Sequence, residues 1–147
     1  MKNDNDLFYT CSLIENIGRE RKLKRSDVVR SLGKEEISRI YEYADVFHCE
    51  PIAKVTADFV KECSIGEGDF DNVASCKYEV PNRFDIGNVY SRLIEDVVGD
   101  NNDEVVDKLI EVYTSWIDDA ISNYNTDFYY QSREYIFLCY QDGEICA

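Results

Sequence analysis

DIGNVYSRLIEDVVGDNNDEVVDKLIEVYTSWIDDAI, residues 85–121, is the stretch whose reading decides the fold. Ile86, Val89, Tyr90, Leu93, Ile94, Val97 and Val98 recur at the three- and four-residue spacing that lays apolar side chains along one helix face. Val105, Val106, Leu109, Ile110, Tyr113, Trp116, Ile117, Ala120 and Ile121 repeat the pattern. Only the turn-forming GDNND separates the two stripes. The spacing therefore predicts helices over 85–98 and 103–122, folded back on one another as an antiparallel pair.

Working outward, the same period continues. Leu7, Cys11, Ile14 and Ile17 form a stripe with Phe8 beside it, and Asn3 or Asp4 can cap its start. Ser26 precedes DVVRSL as an N-cap, and Gly33 follows as a left-handed terminator. Ile37, Ile40, Tyr41, Ala44 and Phe47 share the next face. Pro51 suits the first turn of a helix burying Ile52, Val55, Phe59 and Val60. Near the end, Ser132 caps a helix carrying Tyr135, Ile136, Leu138 and Cys139. Residues 64–82, with two glycines and a proline, break the period as a long irregular connection. No alternating strand pattern stands out. The expectation is one all-α domain over 1–147, a bundle of six or seven helices.

The chain is strongly acidic, with a formal charge of −14 over 147 residues, yet GRERKLKRSD, 18–27, holds five of its sixteen basic side chains. Residues 1–40 carry net +2 and the remainder −16. A DNA-binding helix-turn-helix built around Gly33 would need apolar residues at 39 and 42, where Arg39 and Glu42 stand. Counterion replacement on a duplex also demands a basic surface. Direct nucleic-acid binding is therefore not expected, and the basic run reads as a solvated connector whose cations favour the C-terminal dipole of the first helix or offset acids across the bundle.

The opening MKNDNDLFYTCSLIENIG lacks the pattern of a secretion signal, and no apolar run approaches the about 18 residues of a membrane span. A cytoplasmic protein with reduced cysteines is expected, Cys11 and Cys63 serving as small core residues.

For chemistry the sequence offers little. His48 adjoins Cys49 and Glu50, but neighbours on a helix diverge by about 100°, and no C-x-x-C spacing supports a zinc site. No phosphate loop, nucleophile elbow or EF-hand pattern occurs. The expectation is no catalytic, cofactor or metal site. YNTDFYYQSREYIFLCY, 124–140, stands out instead, with five tyrosines and two phenylalanines. These rings either form a protein interface or staple the C-terminus across the bundle. The candidate partner-binding set is Asp118, Asp119, Tyr124, Asp127, Phe128, Tyr129 and Tyr130.

RSDVVRSLGKEEISRIYEYADVFHCE, GDFDNVASCKYEVPNRFDIGNVYSRLIEDV and YNTDFYYQSREYIF together resemble a small uncharacterised bacterial family. That similarity implies an association with toxin-like proteins of the ADP-ribosyltransferase fold and small companion proteins. The resemblance implies a toxin-neutralising or companion role and assigns no site residue. The expected function is a non-enzymatic acidic module for a protein with a basic surface, antitoxin-like or accessory; a homodimer is compatible with this. Two alternatives stand beside it. One is a phage or mobile-element inhibitor that imitates nucleic acid against a basic defence protein. The other is a small helical enzyme or metal protein around His48 and Cys49.

Overall fold

A computed structural model describes residues 4–146. Eight α-helices and two short 3-10 turns make up its regular structure, with no strand among the described residues. The helices are α1 (Asp4–Arg21), α2 (Arg25–Glu42), α3 (Ala44–Phe47), α4 (Ile52–Glu62), α5 (Arg83–Val98), α6 (Val105–Tyr113), α7 (Ile117–Ile121) and α8 (Arg133–Asp142). The expected all-α bundle is present, with one short helix more than the upper count. Among the described residues no helix is long and apolar enough to cross a membrane.

The first helix is the hub. It packs on α5, α2, α4 and α3, while α5 also meets α6 and α8. Leu13, Ile14, Ile17, Ile37, Ile86 and Ile94 meet with no exposed surface in the common core. Local chemistry fixes the boundaries of α5 and α8. Asn82 and Asp85 form a reciprocal capping box at the start of α5. Ser132 accepts the Tyr135 amide at the start of α8, as its position predicts. The expected cap of α1, Asn3 or the Asp4 side chain, lies outside the described residues and side chains.

Several boundaries differ from the sequence reading; the helix expected to run through Ile37 and Phe47 is interrupted at Tyr43. Pro51 sits just before α4 and not within its first turn. Ser26 does not cap α2, whose preceding residue is Lys24; the Ser26 amide is taken by a distant carboxylate. The helix expected over 103–122 is broken at 114–116. There the Thr114 and Ser115 hydroxyls donate to the carbonyls of Ile110 and Val112, 2.6 and 2.7 Å away. Such back-bonding competes with the helical ladder. The break re-aims α7, so Asp118 faces inward and Asp119 outward.

Gly33 kinks α2 with φ 79° and ψ 165°, positive as expected but not the αL conformation. That region is open essentially to glycine alone. Nothing lies within 4 Å of a Cβ placed there, so any penalty for alanine is conformational, not steric. Gly33→Ala should therefore destabilise by about 1–3 kcal/mol in urea unfolding. Gly66→Ala, at an open loop position without positive φ, should change stability by less than about 0.5 kcal/mol. Equal effects at the two sites would contradict the assignment of strain to Gly33.

Candidate functional site

One carboxylate organises the C-terminal half of α1. Glu15 is fully buried. Its Oε1 accepts Arg25 Nε at 2.8 Å, and Oε2 accepts Arg25 Nη2 at 2.9 Å and Arg19 Nε at 2.7 Å. The Tyr124 hydroxyl donates to Oε2 as well. Arg25, itself without exposed surface, also donates to the Leu23 carbonyl and to Asn72 Oδ1. Asn72 passes the connection on, donating to the Ser122 carbonyl at 3.0 Å. Gly18 makes the arrangement sterically possible: a Cβ there would stand 2.6 Å from Arg25 Nε. Thus two arginines of the basic run engage a buried acid, Arg25 without exposed surface and Arg19 half-buried. Both neutralise Glu15, so at these two positions the run offsets an acid inside the bundle and is not a solvated connector throughout.

A second buried carboxylate serves the start of α2. Asp118 accepts the Ser26 amide at 3.1 Å and the Tyr90 hydroxyl at 2.5 Å. The Tyr90 ring stacks on Tyr113 with centroids 4.0 Å apart. Burial disfavours the charge on both carboxylates, but the balance with their partners differs. Burial opposes the charge on Glu15, but Arg25, Arg19 and the Tyr124 hydroxyl together hold it below the ordinary glutamate value. For Asp118 burial prevails over its donors and holds it above the ordinary aspartate value.

These contacts divide the seven candidate partner-binding residues. Asp118, Tyr124 and Phe128 are only 2%, 2% and 4% exposed, so they belong to the interior and not to a docking surface. Asp119 is exposed and pairs with Lys24 at 3.2 Å. Asp127 is exposed, Tyr129 is half-buried, and Tyr130 is 83% exposed. Of the seven, Tyr129 and Tyr130 line one groove, and Asp118 and Asp119 line a shallower polar one beside the start of α2.

The tyrosine groove, of about 470 Å³, lies between the 79–81 segment, one face of α5 and the chain leading into α8. Tyr129 and Tyr130 meet edge to face at 6.4 Å. Glu79 and Asp85 stand with them in the lining, and burial followed by neighbouring negative charge pushes the Tyr129 phenol above its ordinary value. Asp85, Asn88, Val89 and Arg92 line one wall at helical spacing on α5. This second stripe was present in the sequence but was obscured by the longer apolar one. Arg133 is engaged by Asp96 at 2.8 and 3.2 Å, whereas Arg92 makes no ion pair among the described residues.

The interior network positions both groove walls. Arg19 donates to the Pro81 carbonyl at 2.6 Å, and Pro81 lines the groove. Tyr124, held on Glu15, meets Tyr129 edge to face at 5.8 Å. His48 and Cys49 lie elsewhere and are exposed. The His48 ring meets Tyr9 edge-on at 5.7 Å, and the Cys49 thiol donates to the Asp45 carbonyl. Among the described residues no three of His, Cys, Asp or Glu gather in a way that could hold a metal ion. Cys11 is buried and its thiol is pushed up to about 12 by burial, while Cys63 is only half-buried. No protein-family model, curated protein or solved structure matches the chain.

Glu15→Gln leaves Arg25 buried without its counter-charge and should cost about 3–5 kcal/mol in denaturant unfolding. Because the folded pKa of Glu15 is depressed, its contribution is complete above the unfolded value of about 4.3 and is lost as pH falls through the folded value. Wild-type stability should therefore drop more steeply below about pH 4 than that of Glu15→Gln. Parallel acid limbs for the two proteins would contradict the charge assignment.

Proposed function

We propose that this chain is a non-enzymatic protein-binding module, of antitoxin-like or accessory kind, for a partner with a basic surface. The observation that carries the reading is the pair of groove tyrosines beside Glu79 and Asp85 on a chain of charge −14. Ring faces next to carboxylates suit an arginine or lysine side chain, worth about 0.5–1 kcal/mol exposed and about 2 when desolvated. Arg92 stands two turns along α5 from Asp85, roughly 10 Å by helical rise. A bound segment is then anchored by a cation at the tyrosine end and by an acidic group of its own at Arg92. The acidic surface around the groove steers a basic partner inward. The resemblance to companions of toxin-like proteins is in keeping with this role.

Co-purification from the native host tests the proposal. Wild-type protein should recover a basic protein, and replacing Tyr129 and Tyr130 together by alanine should reduce that recovery about tenfold with the helical spectrum intact. In kinetic measurements the variant should shorten complex lifetime, while added salt should slow association. If the variant binds like wild type yet association still falls with salt, the charged surface acts without the groove, as a nucleic-acid mimic would. If neither the variant nor salt changes binding, the basic-partner reading fails.

A further inference from the structure

Another cavity, of about 450 Å³, shares no lining residue with the tyrosine groove. It is formed by the N-terminal half of α1, by α3 with His48, and by Phe84 at the start of α5. Two of its lining residues carry buried hydroxyls with no hydrogen-bond partner: Tyr9 Oη and Ser12 Oγ. The residues are 7% and 1% exposed. Buried polar atoms are normally paired, because the water bonds lost on folding must be replaced. The two hydroxyls therefore leave hydrogen-bonding capacity unmet beside the cavity.

The lining also selects by shape and charge. Phe8 and Phe84 approach with ring centroids 6.1 Å apart, and Tyr9 meets His48 edge-on. Walls of this kind accept a flat ring. Asp6 and Asp45 are the charged lining residues, and among the described residues the lining includes no lysine or arginine. Arg83 stacks on Phe84 at 4.7 Å without joining the lining. Burial, and then the charge of Glu50, pushes the Tyr9 phenol up to about 12, so it remains a hydrogen-bond donor at neutral pH. An anion would meet carboxylates here, whereas an ammonium meets carboxylates and ring faces.

We propose that this cavity binds a small aromatic amine. Its ring lies against Phe8 and Phe84, its ammonium faces Asp45, and a polar atom on the ring meets the Tyr9 and Ser12 hydroxyls. The site is independent of the protein-binding groove.

Tyramine is the probe, and 4-hydroxyphenylacetate is its anionic counterpart with the same ring and phenol. Tyramine should bind saturably by calorimetry and shift the amide resonances of residues 5–12, 44–48 and 84. The acid should bind at least about tenfold more weakly. Tyr9→Phe keeps the ring and removes the orphaned hydroxyl, and should weaken tyramine binding about tenfold. The same variant should keep or raise the thermal midpoint, because the hydroxyl it removes has no partner in the free protein. Asp45→Asn retains an oxygen for the Val46 amide and should also weaken binding about tenfold. Absence of saturable shifts at millimolar tyramine would overturn the proposal. So would equal binding of the acid, or wild-type affinity in Tyr9→Phe.

Discussion

A carboxylate without water must be neutralised, and Glu15 imposes that requirement on four separated parts of the chain. Arg19 comes from its own helix, Arg25 from the next, Asn72 through Arg25 from the irregular 64–82 segment, and Tyr124 from beyond α7. Removing any one partner leaves a buried charge or polar group exposed to the low dielectric of the core. The network thus specifies which loop covers the end of α1, a choice that apolar contacts leave open. Apolar residues of similar volume could give equal or greater stability, but without that directionality. Asp118 acts similarly on a smaller scale, closing the start of α2 from a helix 92 residues away in sequence.

The same network links interior to surface. Rings run outward from the carboxylate: Tyr124 on Glu15, Tyr129 edge-on to Tyr124, and Tyr130 edge-on to Tyr129. The opposite groove wall is tied to the same centre through Arg19 and the Pro81 carbonyl. A groove whose walls are fixed from within loses little side-chain freedom when a guest enters, which favours affinity. The C-terminal aromatics therefore divide between the core and the surface. Tyr124 and Phe128 staple the chain to the bundle, and Tyr130 stands in the surface groove.

The helical faces were legible because they are local. Ile86 to Val98 declares its helix through spacing alone, as does the capped start of α8. Hidden from such reading was everything that depends on long-range pairing. Arg19 and Arg25 resemble solvated charges in a run of five; Arg19 meets Glu15 one turn back on its own helix, whereas Arg25 reaches it only across the turn after α1. Asp118 resembles Asp119 until the break after Tyr113 rotates α7. One signal was available: Glu15 falls on the face of Cys11 and Gly18, the buried face of α1, and Gly18 leaves space beside it. A charge and a mid-helix glycine on one apolar stripe mark a buried ionic centre.

A double-mutant cycle tests the role of that centre most directly. Stability would be measured for wild type, Glu15→Gln, Arg25→Met and the double variant under identical denaturant conditions. If the pair is the organising interaction, the double variant should be more stable than the sum of single effects predicts, by about 1–3 kcal/mol. Additivity within about 0.5 kcal/mol would contradict the account, since it would mean that Glu15 and Arg25 contribute to the fold independently.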